Sequence, residues 1–300
     1  MFPATSSPTE PGISPHERGV ALVTGCSSGI GAATARQLLA AGFHVVATAR
    51  RRDAVADLAA AGCQTLALDV TDESSMHAAV ARVQAEHGAV AVLVNNAGYG
   101  QAGVLEEVSI EQARRQFETN VFGALRLAQL VLPGMRQSGR GRIINVSSMG
   151  GRLTFPYFGL YHASKYALEA LSDALRMEVA GFGVKVVLIE PGLIRSNFSH
   201  ASLQTRAAEP PSNSPYAAFA THMARATVET YEKGPLAALS GTPQDVARCI
   251  LRAARAAQPR ARYTVSASAT LLIFLRRLLP DVLWDAFMRS QYPLPRGLSA

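Results

Sequence analysis

The hydrophobic residues of this chain form short continuous runs that alternate with longer amphipathic segments. The apolar runs cover residues 20–24, 43–48, 64–69, 90–95, 141–148, 184–192 and 262–266. A strand that is apolar without alternation is buried on both faces of its sheet, which is typical of parallel sheets. The order of strands and helices therefore predicts an α/β fold, a doubly wound parallel sheet of about seven strands with helices on both faces.

The segments between the apolar runs have the amino-acid composition of helices, and they contain residues that mark where helices begin and end. The two longest predicted helices cover residues 109–137 and about 158–180. A later helix begins after Thr242, with Pro243 at its first position and Asp245 at its third. A threonine cap, an early proline and an acid three residues after the cap are together a strong signal for a helix start.

Residues 193–241 interrupt this alternation, and they contain Pro210, Pro211, Pro215 and Pro235. A long, weakly patterned segment inside an α/β domain is more typical of a lid or binding loop than of a linker. We therefore predict a substrate lid at 193–241 within a main domain that covers residues 19–265. Residues 1–18 are rich in Pro, Ser and Thr, lack the apolar core of a secretory signal, and are expected to be a disordered tail.

The C-terminal extension, residues 266–300, is amphipathic. Its segment 269–290 is apolar, with Arg276 and Arg277 inserted and a break at Pro280. One interpretation is a basic amphipathic helix that makes peripheral contact with a membrane surface. The other is a segment that packs on protein and covers a substrate pocket or a subunit contact. We favour the second, because most amphipathic helices serve a protein core.

Composition narrows the class of protein. The chain has 300 residues, 48% hydrophobic and 17% charged, so it has enough apolar residues for a large core. The net charge of +7 is carried by scattered residues, which favours acidic small ligands or anionic surfaces and does not indicate a nucleic-acid partner. Cys26, Cys63 and Cys249 form no CxxC or Cys/His cluster, so neither a disulfide framework nor a metal site is predicted, and a cytoplasmic location fits.

The first apolar run leads into the turn TGCSSGIG at 24–31, with glycines at Gly25, Gly29 and Gly31. Glycines allow a tight turn and a close backbone approach, and the following helix presents its N-terminal N–H groups to a pyrophosphate. The alternative is an ordinary glycine-rich turn between strand and helix. The position directly after the first strand favours a dinucleotide site.

The end of the second strand bears on which dinucleotide binds. An acid at this place would bind the adenosine 2′-hydroxyl, whereas an arginine would bind a 2′-phosphate. Here Ala49, Arg50 and Arg51 occupy the position, and the first acid is Asp53. The sequence therefore favours NADP(H) over NAD(H), because guanidinium pairs well with phosphate. The alternative is a solvated basic edge.

Tyr161 and Lys165 lie four residues apart on a predicted helix, and so on one face. A free tyrosine has a pKa near 10, and a nearby ammonium lowers it, which suits a general acid/base. Alone, such a pair is weak evidence. Polar residues at Ser148, at 95–98 and at 190–192 end three of the predicted strands, where open parallel sheets bind ligands.

These segments together resemble the short-chain dehydrogenase/reductase family, in its short soluble subtype, over residues 19–265. The matching segments are TGCSSGIG, LDV at 68–70, NNAG at 95–98, TNVFG at 119–123, INVSS at 144–148, YHASK at 161–165 and EPG at 190–192. Within the family the chain is most similar to the branch of hydroxysteroid and retinol dehydrogenases. The resemblance implies a Rossmann-type fold and a dinucleotide-binding catalytic domain.

The resemblance also implies roles for individual residues. Tyr161 would be the acid/base, Lys165 would lower its pKa and hold the nicotinamide ribose, Ser148 would orient the substrate oxygen, and Asn120 would keep a water in a proton relay. The substrate-binding residues are thus Ser148 and Tyr161. The residues expected to bind the cofactor include Arg50, which the end of the second strand suggests. They are Gly25, Ser27, Ser28, Gly29, Ile30, Gly31, Arg50, Asp69, Val70, Asn96, Ala97, Gly98, Tyr161, Lys165, Pro191, Gly192, Ile194 and Ser196.

The predicted function is an NADP(H)-dependent oxidoreductase that interconverts a lipophilic secondary alcohol and a ketone, or a primary alcohol and an aldehyde. Phe155, Tyr157, Phe158 and Phe198 line its apolar pocket or belong to the core. The alternative is a catalytically silent, dinucleotide-sensing regulatory protein of the same fold, but a silent protein would not need all four catalytic positions. We expect a homodimer or homotetramer.

Overall fold

The computed structural model describes residues 19–205, 214–232 and 237–292. The predicted tail at 1–18 lies outside the described residues. Parts of the predicted lid and of the C-terminal extension also lie outside them, at 206–213, 233–236 and 293–300.

Seven strands form one sheet: β1 (Val20–Val23), β2 (His44–Ala49), β3 (Gln64–Ala67), β4 (Val90–Asn95), β5 (Gly141–Val146), β6 (Val184–Pro191) and β7 (Arg262–Val265). Their order across the sheet is β3-β2-β1-β4-β5-β6-β7, and every neighbouring pair is parallel. The predicted doubly wound parallel sheet is confirmed. The strand order reverses between β1 and β4, and ligands of such sheets bind outside the carboxyl ends of the strands at this point.

Eleven α-helices lie in the described part of the chain: α1 (Gly29–Ala40), α2 (Ala56–Ala60), α3 (Glu73–His87), α4 (Ile110–Phe117), α5 (Gly123–Gln137), α6 (Gly159–Glu178), α7 (Phe198–Gln204), α8 (Ala217–Glu232), α9 (Pro243–Arg255), α10 (Ala267–Leu278) and α11 (Asp281–Gln291). The predicted start of α9 is confirmed, because Thr242 and Asp245 form a reciprocal capping box with Pro243 in the first turn.

Each face of the sheet buries a separate apolar core. On one face Val23 packs in a cluster with Leu38 of α1 and Ile250 of α9. On the other face Leu22 packs in a cluster that includes Leu127 of α5. Successive side chains of a strand point to opposite faces. A strand covered by helices on both faces therefore needs apolar residues at every position, which is the pattern of the apolar runs.

A π-helical turn, Glu118–Phe122, separates α4 from α5. The predicted helical stretch at 109–137 is therefore present but is not one regular helix. Such a turn inserts an extra residue and is frequent at functional sites. It contains Asn120, which is 2% exposed.

The predicted lid contains two helices, α7 and α8, although its sequence pattern is weak. Hydrogen bonds tie this segment to the loop after β4. The Gln101 amide donates to the Thr205 carbonyl at 2.6 Å, and the Tyr216 hydroxyl donates to the Glu106 carboxylate at 2.6 Å. The segment is thus hydrogen-bonded to this loop at Thr205 and at Tyr216.

The C-terminal extension forms the helix pair α10–α11. Its inner face carries Ile273 and Trp284, which pack in a cluster with Met149 and Leu153 from the segment after β5. Its outer face leaves five large apolar side chains exposed: Leu271, Phe274, Leu278, Val282 and Leu283. None of the described helices is long and apolar enough to cross a membrane.

Thr24 connects the turns that follow β1 and β4. Its Oγ1 accepts hydrogen bonds from the backbone N–H groups of Asn96 and Ala97, both at 3.0 Å, and donates to the Val94 carbonyl at 3.3 Å. The Asn96 amide in turn donates to the carbonyls of Thr24 and Gly25, at 2.9 and 3.1 Å. One buried hydroxyl and one amide thus hold two loops of the carboxyl edge together.

We expect Thr24→Val to lower the free energy of unfolding by about 2–4 kcal/mol, because the new methyl leaves two backbone N–H groups without an acceptor. Urea denaturation measures the loss. The control is Thr48→Val, since the Thr48 hydroxyl only donates to the Val23 carbonyl, at 3.0 Å. This control should lose about 1 kcal/mol. Equal losses in the two variants would contradict the assigned role of Thr24.

Candidate active site

Lys165 lies buried between α6 and the end of β5. It is 6% exposed, and its Nζ donates to the Val146 carbonyl at 2.9 Å. Tyr161 lies one helical turn earlier on the same face of α6, and Lys165 Nζ is 5.8 Å from the centroid of its ring. The two predicted catalytic residues therefore lie together at the carboxyl edge of the sheet.

The ionisation of this pair is dominated by burial. Burial raises the pKa of Tyr161 to about 12, against a hydrogen bond with Ser148 that lowers it. Burial lowers the pKa of Lys165 to about 8, against the charge of Glu169, which raises it. The Tyr161 pKa thus moves opposite to the lowering expected from Lys165, because loss of water disfavours the phenolate more than its neighbours favour it. At neutral pH the phenol keeps its proton.

Ser148 follows β5 and faces the phenol. Its Oγ accepts a hydrogen bond from the Gly150 backbone N–H at 3.0 Å, which caps the short 3₁₀ turn Met149–Gly151. The same hydroxyl lies near enough to the phenol to lower the pKa of Tyr161. The hydroxyl groups of Ser148 and Tyr161 can therefore contact one substrate oxygen.

Asn120 lies on the other side of Lys165. Its amide donates to the Tyr99 carbonyl at 3.0 Å and to Ser164 Oγ at 3.1 Å, and its Oδ1 accepts from the Tyr99 N–H at 3.1 Å. A methyl group placed on Gly98 would lie 3.0 Å from Asn120 Oδ1 and 3.8 Å from Lys165 Nζ. The amide and the ammonium therefore border the same small space beside Gly98.

The glycine turn is built for close backbone approach. Gly25 and Gly29 have φ values of +70° and +55°. A methyl group on Gly31 would lie 2.2 Å from the Gly25 carbonyl oxygen, so no side chain fits there. The turn thus brings the start of α1 against the end of β1.

The N-terminus of α1 is open to an anion. Ser27, Ser28 and Gly29 are exposed, the Ser28 side chain does not cap the helix, and its first turn carries no acid. Ile30 is half-buried and packs against the apolar core. Free N–H groups at the positive end of a helix dipole, beside a glycine-rich turn, fit a dinucleotide pyrophosphate.

The residues predicted to contact the adenosine end of the cofactor lie after β2 and β3, which are neighbours. Arg50 is exposed and has no ion pair in the described part of the chain. Val70 is buried. The Asp69 carboxylate accepts from the backbone N–H and the hydroxyl of Thr71, at 2.9 and 2.8 Å. Arg50 is therefore available to a phosphate, whereas Asp69 already fixes its own loop.

The segment after β6 follows Pro191 and passes close to α10. A methyl group on Gly192 would lie 2.5 Å from Ser266 Oγ. Ile194 is buried, and Ser196 Oγ accepts from the Phe198 backbone N–H at 3.3 Å. No hydrogen bond among the described residues joins Ile194 or Ser196 to Tyr161 or Lys165.

Aromatic side chains surround Tyr161. Tyr157 and Phe158 are 6% and 5% exposed, so they belong to the core rather than to an open pocket. Phe155 is partly buried, and the Phe198 ring at the start of α7 lies 5.4 Å from the Tyr161 ring. Of the four predicted pocket residues, Phe155 and Phe198 flank the site.

Two residues that support the site, Thr24 and Gln116, are not predicted from the sequence. Gln116 is fully buried, accepts from the Gln101 N–H at 2.6 Å and donates to the Tyr99 carbonyl at 2.8 Å. Gln116 lies four residues before Asn120, and this spacing predicts that the two side chains share one face of a helix. Both in fact contact the same loop, at Tyr99. Thr24 carried no such signal, because a threonine at a strand end is common.

Comparison with known proteins supports a family assignment. A profile described as short chain dehydrogenase matches residues 19–207. The uncharacterized oxidoreductase YusZ of Bacillus subtilis is 35% identical over 281 residues, 91% of this chain and 98% of that protein. The NADPH-dependent 3-dehydrocapnine reductase of Ornithobacterium rhinotracheale is 33% identical over 275 residues, 88% and 94% of the two chains. The 3-ketodihydrosphingosine reductase of Bacteroides thetaiotaomicron is 41% identical over 180 residues, 60% and 65%.

Solved structures agree with this result. A short-chain dehydrogenase from Streptomyces avermitilis has a TM-score of 0.76 and 37% identity, and the match covers 91% of this chain and 96% of that one. A metagenomic short-chain oxidoreductase in complex with NADP has a TM-score of 0.63 and 27% identity, with 85% and 98% covered. The chain is therefore an NAD(P)-dependent oxidoreductase and belongs to the short-chain dehydrogenase/reductase family.

Proposed function

We propose that this enzyme uses NADP(H) to interconvert a lipophilic alcohol and its ketone or aldehyde, with Tyr161 as the general acid/base. The observation that carries the proposal is the group of a buried Lys165 with the half-buried Tyr161 and Ser148 at the carboxyl edge, beside the glycine turn. The bound nicotinamide supplies or accepts a hydride. The side chains of this protein handle the proton.

Each of the four catalytic residues has a separate task in the reductive direction. Tyr161 holds its proton at neutral pH and donates it to the carbonyl oxygen of the substrate. Ser148 donates a hydrogen bond to the same oxygen and orients it. Lys165 places a positive charge beside the phenol as it gives up its proton, and contacts the nicotinamide ribose. Asn120 keeps a water behind Lys165 through which the proton is replaced.

The dinucleotide would extend along the carboxyl edge from β3 to β6. The turn from Gly25 to Gly31 and the start of α1 take the pyrophosphate. Asp69 and Val70 border the adenine, and Arg50 binds the 2′-phosphate. Residues 96–98 border the ribose and Pro191, Gly192, Ile194 and Ser196 the nicotinamide end. Because the Asn96 amide is hydrogen-bonded to the glycine turn, we assign it to support of that turn.

An apolar substrate agrees with the surroundings of Tyr161. Tyr161 belongs to one apolar cluster with Phe155 and with residues of α7 and α8, and the Phe198 ring lies beside its own. We propose that residues 193–241 form a substrate lid. Two similar proteins are named as reductases, of 3-dehydrocapnine and of 3-ketodihydrosphingosine. Both names support a reductase, and the similarity to hydroxysteroid and retinol dehydrogenases stays a prediction.

For the C-terminal helix pair α10–α11 we propose a contact between subunits of a homodimer or homotetramer in the cytoplasm. Its inner face already packs on protein, and five exposed apolar side chains form its outer face. The alternative is peripheral contact of residues 269–290 with a membrane.

Changing Tyr161 to phenylalanine removes the proposed proton donor and leaves the ring in place. We expect turnover to fall about 10²- to 10⁴-fold, while NADPH binding persists. The assay is NADPH oxidation with a panel of apolar ketones, and NADPH fluorescence reports binding. The control is Tyr166→Phe, since Tyr166 lies on the same helix and is 42% exposed. Equal activity of Tyr161→Phe and the parent would refute the role of Tyr161 as proton donor. If the parent binds NADPH but shows no turnover, the silent regulatory protein is favoured instead.

Changing Arg50 to aspartate should weaken NADPH binding about 10- to 100-fold and favour NADH, because a charge-assisted contact to the phosphate is lost. Dissociation constants for both dinucleotides measure this. Arg51→Asp is the matched control, since Arg51 is exposed and its Nε lies 3.6 Å from Asp53 Oδ1. If Arg50→Asp leaves the NADPH-to-NADH preference as it is in the parent, Arg50 does not bind the phosphate.

Sedimentation distinguishes the two interpretations of α10–α11. We expect the purified protein to stay in the supernatant without detergent when mixed with anionic phospholipid vesicles, and to run as a dimer or tetramer in light scattering. Phe274→Glu places a charge on the exposed apolar face and should lower the oligomeric state. Pelleting of the parent with the vesicles, abolished by Phe274→Glu, would establish membrane contact instead.

A further inference from the structure

Helix α6 carries a row of four ionisable side chains at intervals of one turn. Tyr161 and Lys165 are followed by Glu169 and Asp173, each four residues further along, so all four lie on one face. Lys165 and Glu169 are 6% and 5% exposed, whereas 35% of the Asp173 side chain is exposed. The row therefore leads from the reactive phenol toward solvent.

Arg262, the first residue of β7, binds the carboxylates of this row. Its Nε lies 2.9 Å from Glu169 Oε2, and its Nη2 lies 2.5 Å from Asp173 Oδ2. Its Nε also lies 3.3 Å from Glu190 Oε1, and Arg152 Nη1 lies 3.2 Å from the same oxygen. Each buried carboxylate thus has a guanidinium partner, without which it would be strongly destabilising.

The ammonium of Lys165 has few groups that compensate its charge. Its Nζ donates to the Val146 carbonyl and lies over the Tyr161 ring, and Asn120 borders the space beside it. Within the described part of the chain, Glu169 is the acid whose charge acts on Lys165 and opposes the effect of burial. The carboxylate one turn away is therefore the counter-charge of the buried ammonium.

The contact with Arg262 favours the ionised form of Glu169, whereas burial opposes it. Burial raises the pKa of Glu169 and the charge of Glu190 adds to this, whereas the guanidinium of Arg262 lowers it. A methyl group on Gly151 would lie 2.9 Å from both Glu169 Cγ and Ser147 Oγ, so the carboxylate is packed in one place. The charged groups that face Glu169 are thus Lys165 and Asp173 on α6, Glu190 on β6 and Arg262 on β7.

We propose that Glu169 is a positioning residue whose carboxylate, clamped by Arg262, holds Lys165 as an ammonium ion beside Tyr161. The inference rests on the proposed function, in which Tyr161 and Lys165 act together. β7 lies nearly a hundred residues further along the chain, and through Arg262 it would help to position the reactive pair Tyr161 and Lys165. A neutral lysine cannot stabilise a developing phenolate, so loss of the Glu169 charge should end ketone reduction at a lower pH.

The ionisation of Lys165 can be measured directly. The chain has three lysines, Lys165, Lys185 and Lys233. Carbon-13 at the ε position of lysine therefore gives three NMR signals, and Lys165→Met identifies the one of interest. In the parent this signal should titrate near the pKa of about 8. In Glu169→Gln we expect the midpoint to fall by about one pH unit or more, and Glu169→Asp should restore most of it.

Asp173→Asn is the matched control. Asp173 is bound by the same arginine but lies two turns from Lys165, so its loss should leave the Lys165 midpoint unchanged. A general loosening of α6 would instead move the midpoint in both variants, and equal movement in the two would overturn the proposal.

A second variant covers the case in which Glu169→Gln does not fold. Glu169→Gln with Arg262→Gln removes one charge of each sign, while Glu190 keeps Arg152 and Asp173 keeps Arg176 as partners. The Lys165 midpoint should fall here as well. An unchanged midpoint in whichever variant folds overturns the proposal.

Activity provides an independent measurement. The alkaline limit of kcat for ketone reduction should move to lower pH in Glu169→Gln, in parallel with the Lys165 midpoint, and stay in place in Asp173→Asn. If the midpoint moves but the parent reduces no ketone, the proposed function fails while the role of Glu169 toward Lys165 stands.

Discussion

The buried ammonium of Lys165 is the group on which the rest of the site depends. A charge inside a protein is tolerated only with good partners, and here these are the Val146 carbonyl, the face of the Tyr161 ring and the carboxylate of Glu169. Those partners come from the end of β5 and from α6. The position of α6 across the sheet edge is therefore a condition both for burying the charge and for placing the phenol beside it.

The carboxyl edge is held by polar side chains that hydrogen-bond to one another. Thr24 and Asn96 connect the turns after β1 and β4, and the Asn95 amide donates to Asn145 Oδ1 at 2.9 Å, whose own amide donates to Ser172 Oγ at 2.8 Å. Buried networks of this kind stiffen the segments that they connect. They leave Tyr161 and Ser148 as hydroxyl groups available to a substrate, so the same contacts that order the loops define the reactive position.

Much of this arrangement could be predicted from the sequence, because continuous apolar runs report strands buried on both faces and short motifs mark the strand ends. The π-helical turn around Asn120 and the helices of residues 193–241 could not, since neither changes the apolar spacing in a recognisable way. The direction of the Tyr161 pKa was missed because burial is a property of the folded site. The Glu169–Arg262 pair joins residues 93 positions apart, a distance at which sequence pattern carries no information about contact.

We propose that hydride and proton meet at the group of Tyr161, Ser148 and Lys165. A crystal structure of the protein with NADPH tests it most directly. We expect electron density for the nicotinamide ring beside the Tyr161 hydroxyl, with the phosphates at the start of α1. A dinucleotide bound elsewhere, or a Tyr161 hydroxyl that faces bulk solvent away from the nicotinamide, would contradict it.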